Sequence, residues 1–373
     1  MRTKSSAATV SKLRWGILGA AQIARKNWKA ILNSRSGIIR AVASRDPARA
    51  RQFIDNCQGR APFRTAPEAL GSYEQLLAMP DIDAVYIPLP TGLRAEWVIR
   101  AAKAGKHVLC EKPCARNAGE LERMLEACRR NRVQFLDDVM FMHSRRLQRL
   151  RQVLDDGTSV GSIQRIASNF TFCAGAEFQR NDIRMDSRLE PHGCLGDLGW
   201  YSIRFALWAM NWKKPRQVDG RILQEARSAK SPAPVPTAFS GELLFDGGAS
   251  AGFYCSFVTE NQEWVHVSGT RGSLVVPDFV LPYHGDRVGF ETFHPTFEVD
   301  GCDFKLSENR RRILVRERSH SHPSAQESNL FRNFARQAKS GRLNAEWPAW
   351  ALMTQQVLDD CIASARRKLR RTR

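Results

Sequence analysis

From Leu13 to about Asp138 short apolar runs alternate with amphipathic stretches of helical period. The runs are LRWGIL, IIRAVAS from Ile38, AVYIPL from Ala84, HVLCEKP from His107 and VQFLDD from Val133. Between them lie Gln22 to Leu32, Ala48 to Cys57, Arg94 to Ala104 and Gly119 to Arg130. Strand, helix, strand at this spacing predicts βαβ units, and the continuous apolar character of the runs predicts a parallel sheet covered on both faces. Residues 13–138 therefore read as a doubly wound α/β domain.

After Asp138 the pattern changes. A helix over Arg145 to Leu154, a strand over Ser162 to Phe172 and a helix from about Gly196 to Met210 are followed by strand-like runs from Gln217, Ala238, Gly248, Glu263 and Gly272. Turns such as DGG at Asp246 and TRG at Thr270 join consecutive runs, which argues for a large, mostly antiparallel sheet. Two helices close the chain, Ser324 to Ser340 and Trp347 to Leu369, so residues 139–373 read as a second, α+β domain. Residues 1–12, MRTKSSAATVSK, are polar and basic without an apolar stretch and read as a disordered leader, not a secretory signal.

Composition alters this picture at one point. The chain of 373 residues is 43% hydrophobic and 25% charged, ordinary globular usage, but 57 Lys and Arg against 38 Asp and Glu give a net charge of +19. No helix-turn-helix, zinc finger or aromatic-basic RNA motif accompanies the charge, which counts against specific nucleic-acid binding. Basic clusters at Asn309 to Arg318 and in the tail from Ala365 read as solvated faces. The remainder is expected to be diffuse or to sit at Arg45, Arg94, Lys112 and Arg184, where it would attract an anionic dinucleotide. Nine scattered cysteines without a CxxC pair predict neither a disulfide framework nor a metal site and suit a reducing cytoplasm, and no apolar run is long enough for a membrane span.

Three motifs carry chemistry. The first βα junction, GILGAAQIA, places Gly19, Ala21 and Ala24 on the three glycine positions of the dinucleotide fingerprint, with Gln22 and Ile23 opening the helix whose N-terminus would face a pyrophosphate. The second strand ends in Ser44 and Arg45, which suit the 2′-phosphate of NADP; Asp46 in a shifted register would instead take the ribose of NAD. In CEKPCA, Glu111, Lys112 and Pro113 lie at the carboxyl end of a parallel strand, where such sheets bind ligands. Asp197 and Tyr201, four apart, share a helix face, and a phenol beside a cationic lysine is expected to have its pKa lowered toward the working range.

The succession GxxGxAxIA, ASR, YIPLPxxLxAEWxIRAAxAGKHVLCEKP and GxLGDxGWYxIR resembles the Gfo/Idh/MocA oxidoreductases from about Leu13 to at least Pro277. The run NDIRMDSRLEPHGCLGDLGWYSIR resembles the branch with dimeric dihydrodiol dehydrogenases and NADP-dependent D-xylose dehydrogenases. The resemblance implies an N-terminal Rossmann domain with the site in the cleft between it and the second domain, a cofactor site that includes Pro88, Pro90 and Glu111, a substrate-binding Lys112, an acid/base Tyr201 and an orienting Asp197. It also implies a homodimer or homotetramer through the open sheet of the second domain. Arg94 stands where the family commonly has His, and His192 and Cys194 interrupt its usual glycines, departures that point to a narrowed range or an acidic or phosphorylated sugar; Arg94, Arg184 and His192 are the expected substrate contacts. The leading expectation is hydride transfer between NADP(H) and a carbinol or carbonyl carbon of a sugar, polyol or diol. A catalytically silent dinucleotide-binding regulator on the same fold is the other reading.

Overall fold

A computed structural model describes residues 11–371; residues 1–10 of the expected leader lie outside the described residues. The first half runs β1 (Leu13–Leu18), α1 (Gln22–Ser34), β2 (Gly37–Ala43), α2 (Pro47–Gln58), β3 (Glu68–Leu70), α3 (Tyr73–Ala78), β4 (Ala84–Ile87), α4 (Thr91–Lys103), β5 (His107–Cys110), α5 (Ala118–Arg130) and β6 (Phe135–Asp137). Its six strands pair in parallel in the order β3-β2-β1-β4-β5-β6. The order reverses between β1 and β4, which opens a crevice at the carboxyl ends of those strands. Val85, Tyr86, Ile87, Val108 and Leu109 are wholly buried, as a sheet covered on both faces requires. The elements β3 and α3 were not expected: three and six residues are too short for a periodic signal, and α3 is defined instead by its cap, Ser72 Oγ accepting from Gln75 N at 3.1 Å.

The second half runs α6 (Arg145–Asp155), β7 (Ile163–Cys173), α7 (Ala176–Asn181), α8 (Trp200–Ala209), β8 (Gln217–Ala226), β9 (Val235–Leu244), β10 (Ser250–Ser256), β11 (Val258–Gly269), β12 (Ser273–Val276), β13 (Val288–Phe293), β14 (Thr296–Asp300), β15 (Asp303–Ser307), β16 (Arg310–Val315), α9 (Gln326–Lys339) and α10 (Glu346–Arg371). Eight strands form one sheet in the order β16-β13-β12-β11-β7-β10-β9-β8, antiparallel at every pairing except β7 with β10. The expected helix from Gly196 begins differently: Leu195–Gly199 is a turn of π-helix that passes into α8.

Two of the contacts that join the halves fix how they meet. Trp15 of β1 packs on Phe331 and Phe334 of α9, with ring centroids 5.3 and 5.1 Å apart, so α9 returns to the first sheet although its sequence lies in the second half. Arg204 of α8 pairs with Asp137 of β6 at 2.6 Å, both side chains almost fully buried, and Arg204 Nε also donates to Thr354 Oγ1 of α10 at 2.7 Å. These bonds fix α8, and with it the π turn, against the end of the first sheet.

Candidate active site

A cleft of about 910 Å³ lies between the carboxyl ends of the first sheet and the ends of the central strands β7 and β11 of the second. Its floor begins at the β1–α1 turn. Gly19 has φ 115°, in the region that favours glycine, and a Cβ there would stand 3.0 Å from Leu89. Helix α1 starts after an extended Ala21 with no side-chain cap, and Ala21, Gln22 and Ile23 line the cleft. Uncapped first-turn N–H groups facing a cleft form an anion cradle, so this turn fits a dinucleotide diphosphate. At the end of β2, Ser44 is buried and Arg45 exposed. Asp46 is engaged elsewhere: its Oδ1 accepts from Ala48 N at 2.9 Å and caps α2. Neither Arg45 nor the cleft-lining Arg49 makes an ion pair among the described residues. Pro88 lines the wall, whereas Pro90 serves as the residue that begins α4.

The chemical centre is built where the segment after β5 meets the π turn. Lys112 Nζ donates to Asp197 Oδ1 at 2.5 Å and to the Asp197 carbonyl oxygen at 2.6 Å. The second carboxylate oxygen of Asp197 pairs with Arg184 Nε at 2.8 Å, so one carboxylate holds two cations. Lys112 Nζ also stands over the Tyr201 ring, 4.7 Å from its centre. The close approach depends on Gly196, where a Cβ would lie 2.8 Å from His192 Cβ and 3.1 Å from Pro113 Cγ. The π turn therefore brings Asp197 and Tyr201 to the same lysine from a segment that a regular helix would space differently.

Behind Lys112 lies a carboxyl pair. Glu111 Oε1 accepts from the buried Tyr86 hydroxyl at 2.6 Å and Oε2 from Lys112 N at 3.2 Å, while Asp138 Oδ2 accepts from Asn27 Nδ2 at 2.5 Å. Burial pushes the Asp138 carboxyl up to about 8, the neighbouring Glu111 adding to the rise. The expected lowering of the Tyr201 pKa is corrected. Burial raises it well above the phenol range, and Glu111, Asp138 and Asp197 raise it further. Lys112 cannot offset this, because its charge is already matched by Asp197. The phenol is a proton donor at neutral pH. Asp197 itself is held far below the usual carboxylate range; Arg184 and Lys112 overcome the opposing effect of burial.

Two other expectations change. Arg94 lines the cleft, but its donors go to the Leu89 carbonyl at 2.6 Å, to Thr91 Oγ1 at 2.9 Å and to the Pro113 carbonyl. Its charge thus braces the segment after Lys112. His192 is not brought to the cleft: it is buried, Nε2 lies 2.9 Å from the Arg116 carbonyl oxygen, and burial lowers its pKa to about 4. Nor is the cleft an uncompensated basic patch, since Glu111, Asp182, Glu190 and Asp197 line it beside the cations. Sequence reasoning missed Glu190, which accepts from Thr91 N at 2.9 Å and Thr91 Oγ1 at 2.6 Å and so anchors α4. It also missed Asn181, Asn261, Gln262 and Glu263 at the far end. The last three lie within or just after the register shift between Val258 and Gln262 of β11, an irregularity no periodicity marks.

Fold and cleft define a dinucleotide-dependent oxidoreductase, and Lys112 and Tyr201 meet in that cleft. Residues 13–137 match the oxidoreductase family with an NAD-binding Rossmann fold, and residues 147–275 match the GFO/IDH/MocA C-terminal domain. The chain belongs to the Gfo/Idh/MocA family. It is 34% identical over 296 residues to a D-xylose 1-dehydrogenase (NADP(+)) of Haloferax volcanii, covering 76% of this chain and 85% of that one. It is 29% identical to a trans-1,2-dihydrobenzene-1,2-diol dehydrogenase of Danio rerio, covering 88% and 96%. Among solved structures, a mutant of a 3-ketoreductase from Actinomadura kijaniata in complex with TDP-benzene and NADP superposes with a TM-score of 0.79 at 25% identity, covering 95% of this chain and 98% of that one.

Proposed function

We propose that this protein catalyses reversible hydride transfer between NADP(H) and a carbinol or carbonyl carbon of a neutral sugar, polyol or related diol, with Lys112 and Tyr201 acting on the substrate oxygen. The single observation that carries this reading is the convergence of Lys112, Asp197 and Tyr201 at the mouth of a dinucleotide cradle. The Gly19 to Ile23 turn holds the diphosphate, and Ser44 with Arg45 takes the 2′-phosphate, Asp46 being committed to its helix. When bound, the nicotinamide accepts the hydride from the carbinol carbon or gives it to the carbonyl carbon.

The chain's own residues manage the oxygen. In reduction the Tyr201 hydroxyl, protonated at neutral pH, donates a hydrogen bond and then its proton as negative charge develops on the substrate oxygen. Lys112 donates to the same oxygen, and Asp197, braced by Arg184, aims the ammonium. Oxidation runs the same steps backwards, returning the proton to Tyr201. At the far end the amides of Asn181, Asn261 and Gln262, with Phe172 and Tyr283, offer the mixture of paired donors and aromatic faces that a hydroxyl-rich ring needs. The D-xylose and dihydrodiol relatives act on substrates of this kind. The free thiols, most of them buried, suit a reducing compartment such as the cytoplasm.

The test is purified protein with NADP or NADPH and a panel of sugars, polyols, diols and their oxo forms, followed at the nicotinamide absorbance. A change that depends on substrate, and disappears in Lys112→Ala, is expected. Tight NADP binding without turnover on any member would turn the reading to a silent dinucleotide binder, and no binding of either cofactor would overturn both.

A further inference from the structure

Three large apolar side chains stand open at the mouth of the cleft: Ile183, Leu281 and Tyr283 line it and are 44, 49 and 66% exposed. Ile183 opens a 3₁₀ turn, Ile183–Met185, between α7 and the π turn. Leu281 and Tyr283 lie in the loop between β12 and β13. Both segments are tied down. Asp182 Oδ1 caps the 3₁₀ turn by accepting from Arg184 N at 2.9 Å, Leu281 N donates to Glu263 Oε2 at 2.7 Å, and Tyr283 N donates to Asp278 Oδ2 at 2.8 Å. Folding gains nothing from a fixed backbone that holds large apolar side chains in solvent, so such a lip marks a place where something else binds.

The two segments flank the reacting end. Arg184, next to Ile183, pairs with Asp197, the carboxylate that holds Lys112. On the other side Phe279, two residues before Leu281, packs on Phe170, and Phe170 packs on Tyr201, with ring centroids 6.3 and 5.6 Å apart. A substrate ring that offers one hydroxyl to Lys112 and Tyr201 therefore carries its outer substituent toward Ile183 and the Leu281–Tyr283 loop.

Charge decides what kind of substituent fits. Among the described residues the cations that line the cleft are Lys26, Arg49, Arg94, Lys112 and Arg184. Lys26 and Arg49 belong to α1 and α2, on the cofactor side, and Arg94 is spent on carbonyls. Arg184, the cation at the lip, is held by Asp182 at 3.2 Å and by Asp197 at 2.8 Å. A phosphate, carboxylate or nucleoside diphosphate would have to compete with those carboxylates. An uncharged apolar group leaves the pairs intact and covers exposed carbon surface.

We infer that the substrate is an aryl glycoside, a neutral hydroxylated ring whose uncharged aromatic substituent seats against Ile183, Leu281 and Tyr283. This rests on the catalytic reading and narrows it. The anomeric oxygen of a glycoside is blocked, so the hydride leaves another ring carbinol carbon for NADP⁺, the C–O bond becomes C=O, the hydroxyl proton leaves through Tyr201 to solvent, and NADPH is formed.

The test is kinetics with NADP on the free, methyl, phenyl and phosphorylated forms of D-xylose and D-glucose, with calorimetric titration of the methyl and phenyl glycosides into the protein with NADP present. Both kcat/KM and affinity should be about 10-fold or more higher for the phenyl than for the methyl glycoside. In Ile183→Ser/Leu281→Ser, and separately in Tyr283→Ser, that ratio should fall toward one, with far-UV circular dichroism and NADP affinity as checks on folding. Phenyl and methyl forms treated alike, a phosphorylated form preferred, or free sugars turned over while both glycosides are refused would overturn the inference and leave the catalytic reading standing. Absence of turnover on every form would overturn the catalytic reading; the titration would then decide the lip by the same ratio, and a protein that binds neither glycoside would overturn the inference as well.

Discussion

Lys112 Nζ lies 4.7 Å from the centre of the Tyr201 ring, while its hydrogen bonds go to Asp197 and not to the phenol oxygen. The lysine is thus parked on a carboxylate beside the tyrosine face, with its ammonium away from the phenol hydroxyl. In the proposed reaction lysine and tyrosine have separable roles, one supplying charge and the other a proton.

Tyr201→Phe removes the proton and keeps the ring under Lys112. Its kcat should fall by about 10²- to 10⁴-fold with NADP affinity unchanged. Steady-state kinetics with cofactor titration checks this, and near wild-type turnover would take Tyr201 out of proton transfer.

Asp197→Asn keeps the shape and removes the charge that aims Lys112 and Arg184. Its kcat should drop while the NADP dissociation constant stays put. The carboxylate's folded pKa is depressed, so its stabilising effect is present above the unfolded value of about 3.9 and is lost as pH falls below it. The thermal stability of wild type and Asp197→Asn should therefore converge in acid and separate by neutral pH; a constant gap across pH would contradict the ion triad.

For the cofactor, Arg45→Ala should weaken NADP far more than NAD, because a 2′-phosphate loses a charge-assisted partner and a 2′-hydroxyl does not. Asp46→Ala should loosen the start of α2 without reversing the preference, since its carboxylate caps Ala48 N. Fluorescence titration with both dinucleotides decides; equal losses in Arg45→Ala would move the phosphate contact to another residue such as Arg49.

Both sheets, the β1–α1 turn and the Lys112, Asp197, Tyr201 set were legible because strand period, glycine chemistry and short motifs act over a few residues. What stayed hidden depends on distant contacts. Arg94 and His192 read as site residues from their position in a motif, yet their polar atoms are absorbed by the Leu89, Pro113 and Arg116 carbonyls, which no local pattern announces. The sign of the Tyr201 shift went wrong because sequence showed the lysine but neither the burial nor the Glu111 and Asp138 pair. The hairpin of β14 and β15 carries a local signal, since Phe297, Val299, Phe304 and Leu306 alternate about an Asp-Gly turn.

Arg204 and Asp137 form a buried ion pair at the junction of the halves. Asp137→Ala should cost about 3 to 5 kcal/mol, because it strands a buried guanidinium. A double replacement, Asp137→Leu with Arg204→Met, should recover most of that loss, since well-packed apolar side chains replace buried pairs without net cost. Urea midpoints measure both; a mild Asp137→Ala would mean that water reaches Arg204.

Glu263 gives a pH dependence of opposite sign to that of Asp197. Burial raises its carboxyl pKa to about 8, with Asp278 adding to the rise and the Leu281 N–H, 2.7 Å from Oε2, only partly opposing it. Arg146 faces it too but is taken by Asp278. A carboxyl whose folded pKa lies above its unfolded value of about 4.3 favours the folded state in its protonated form. Stability therefore falls as pH rises between these two values, and above about 8 the folded protein carries the full cost of a buried charge. Glu263→Gln retains an acceptor for Leu281 N and removes the titration. The variant should match wild type near pH 4 and melt higher than it at pH 9, by a few degrees for about 1 kcal/mol of relief. Thermal melts across that range check the sign, and a variant that loses stability at pH 9 would show that Glu263 is held as a carboxylate.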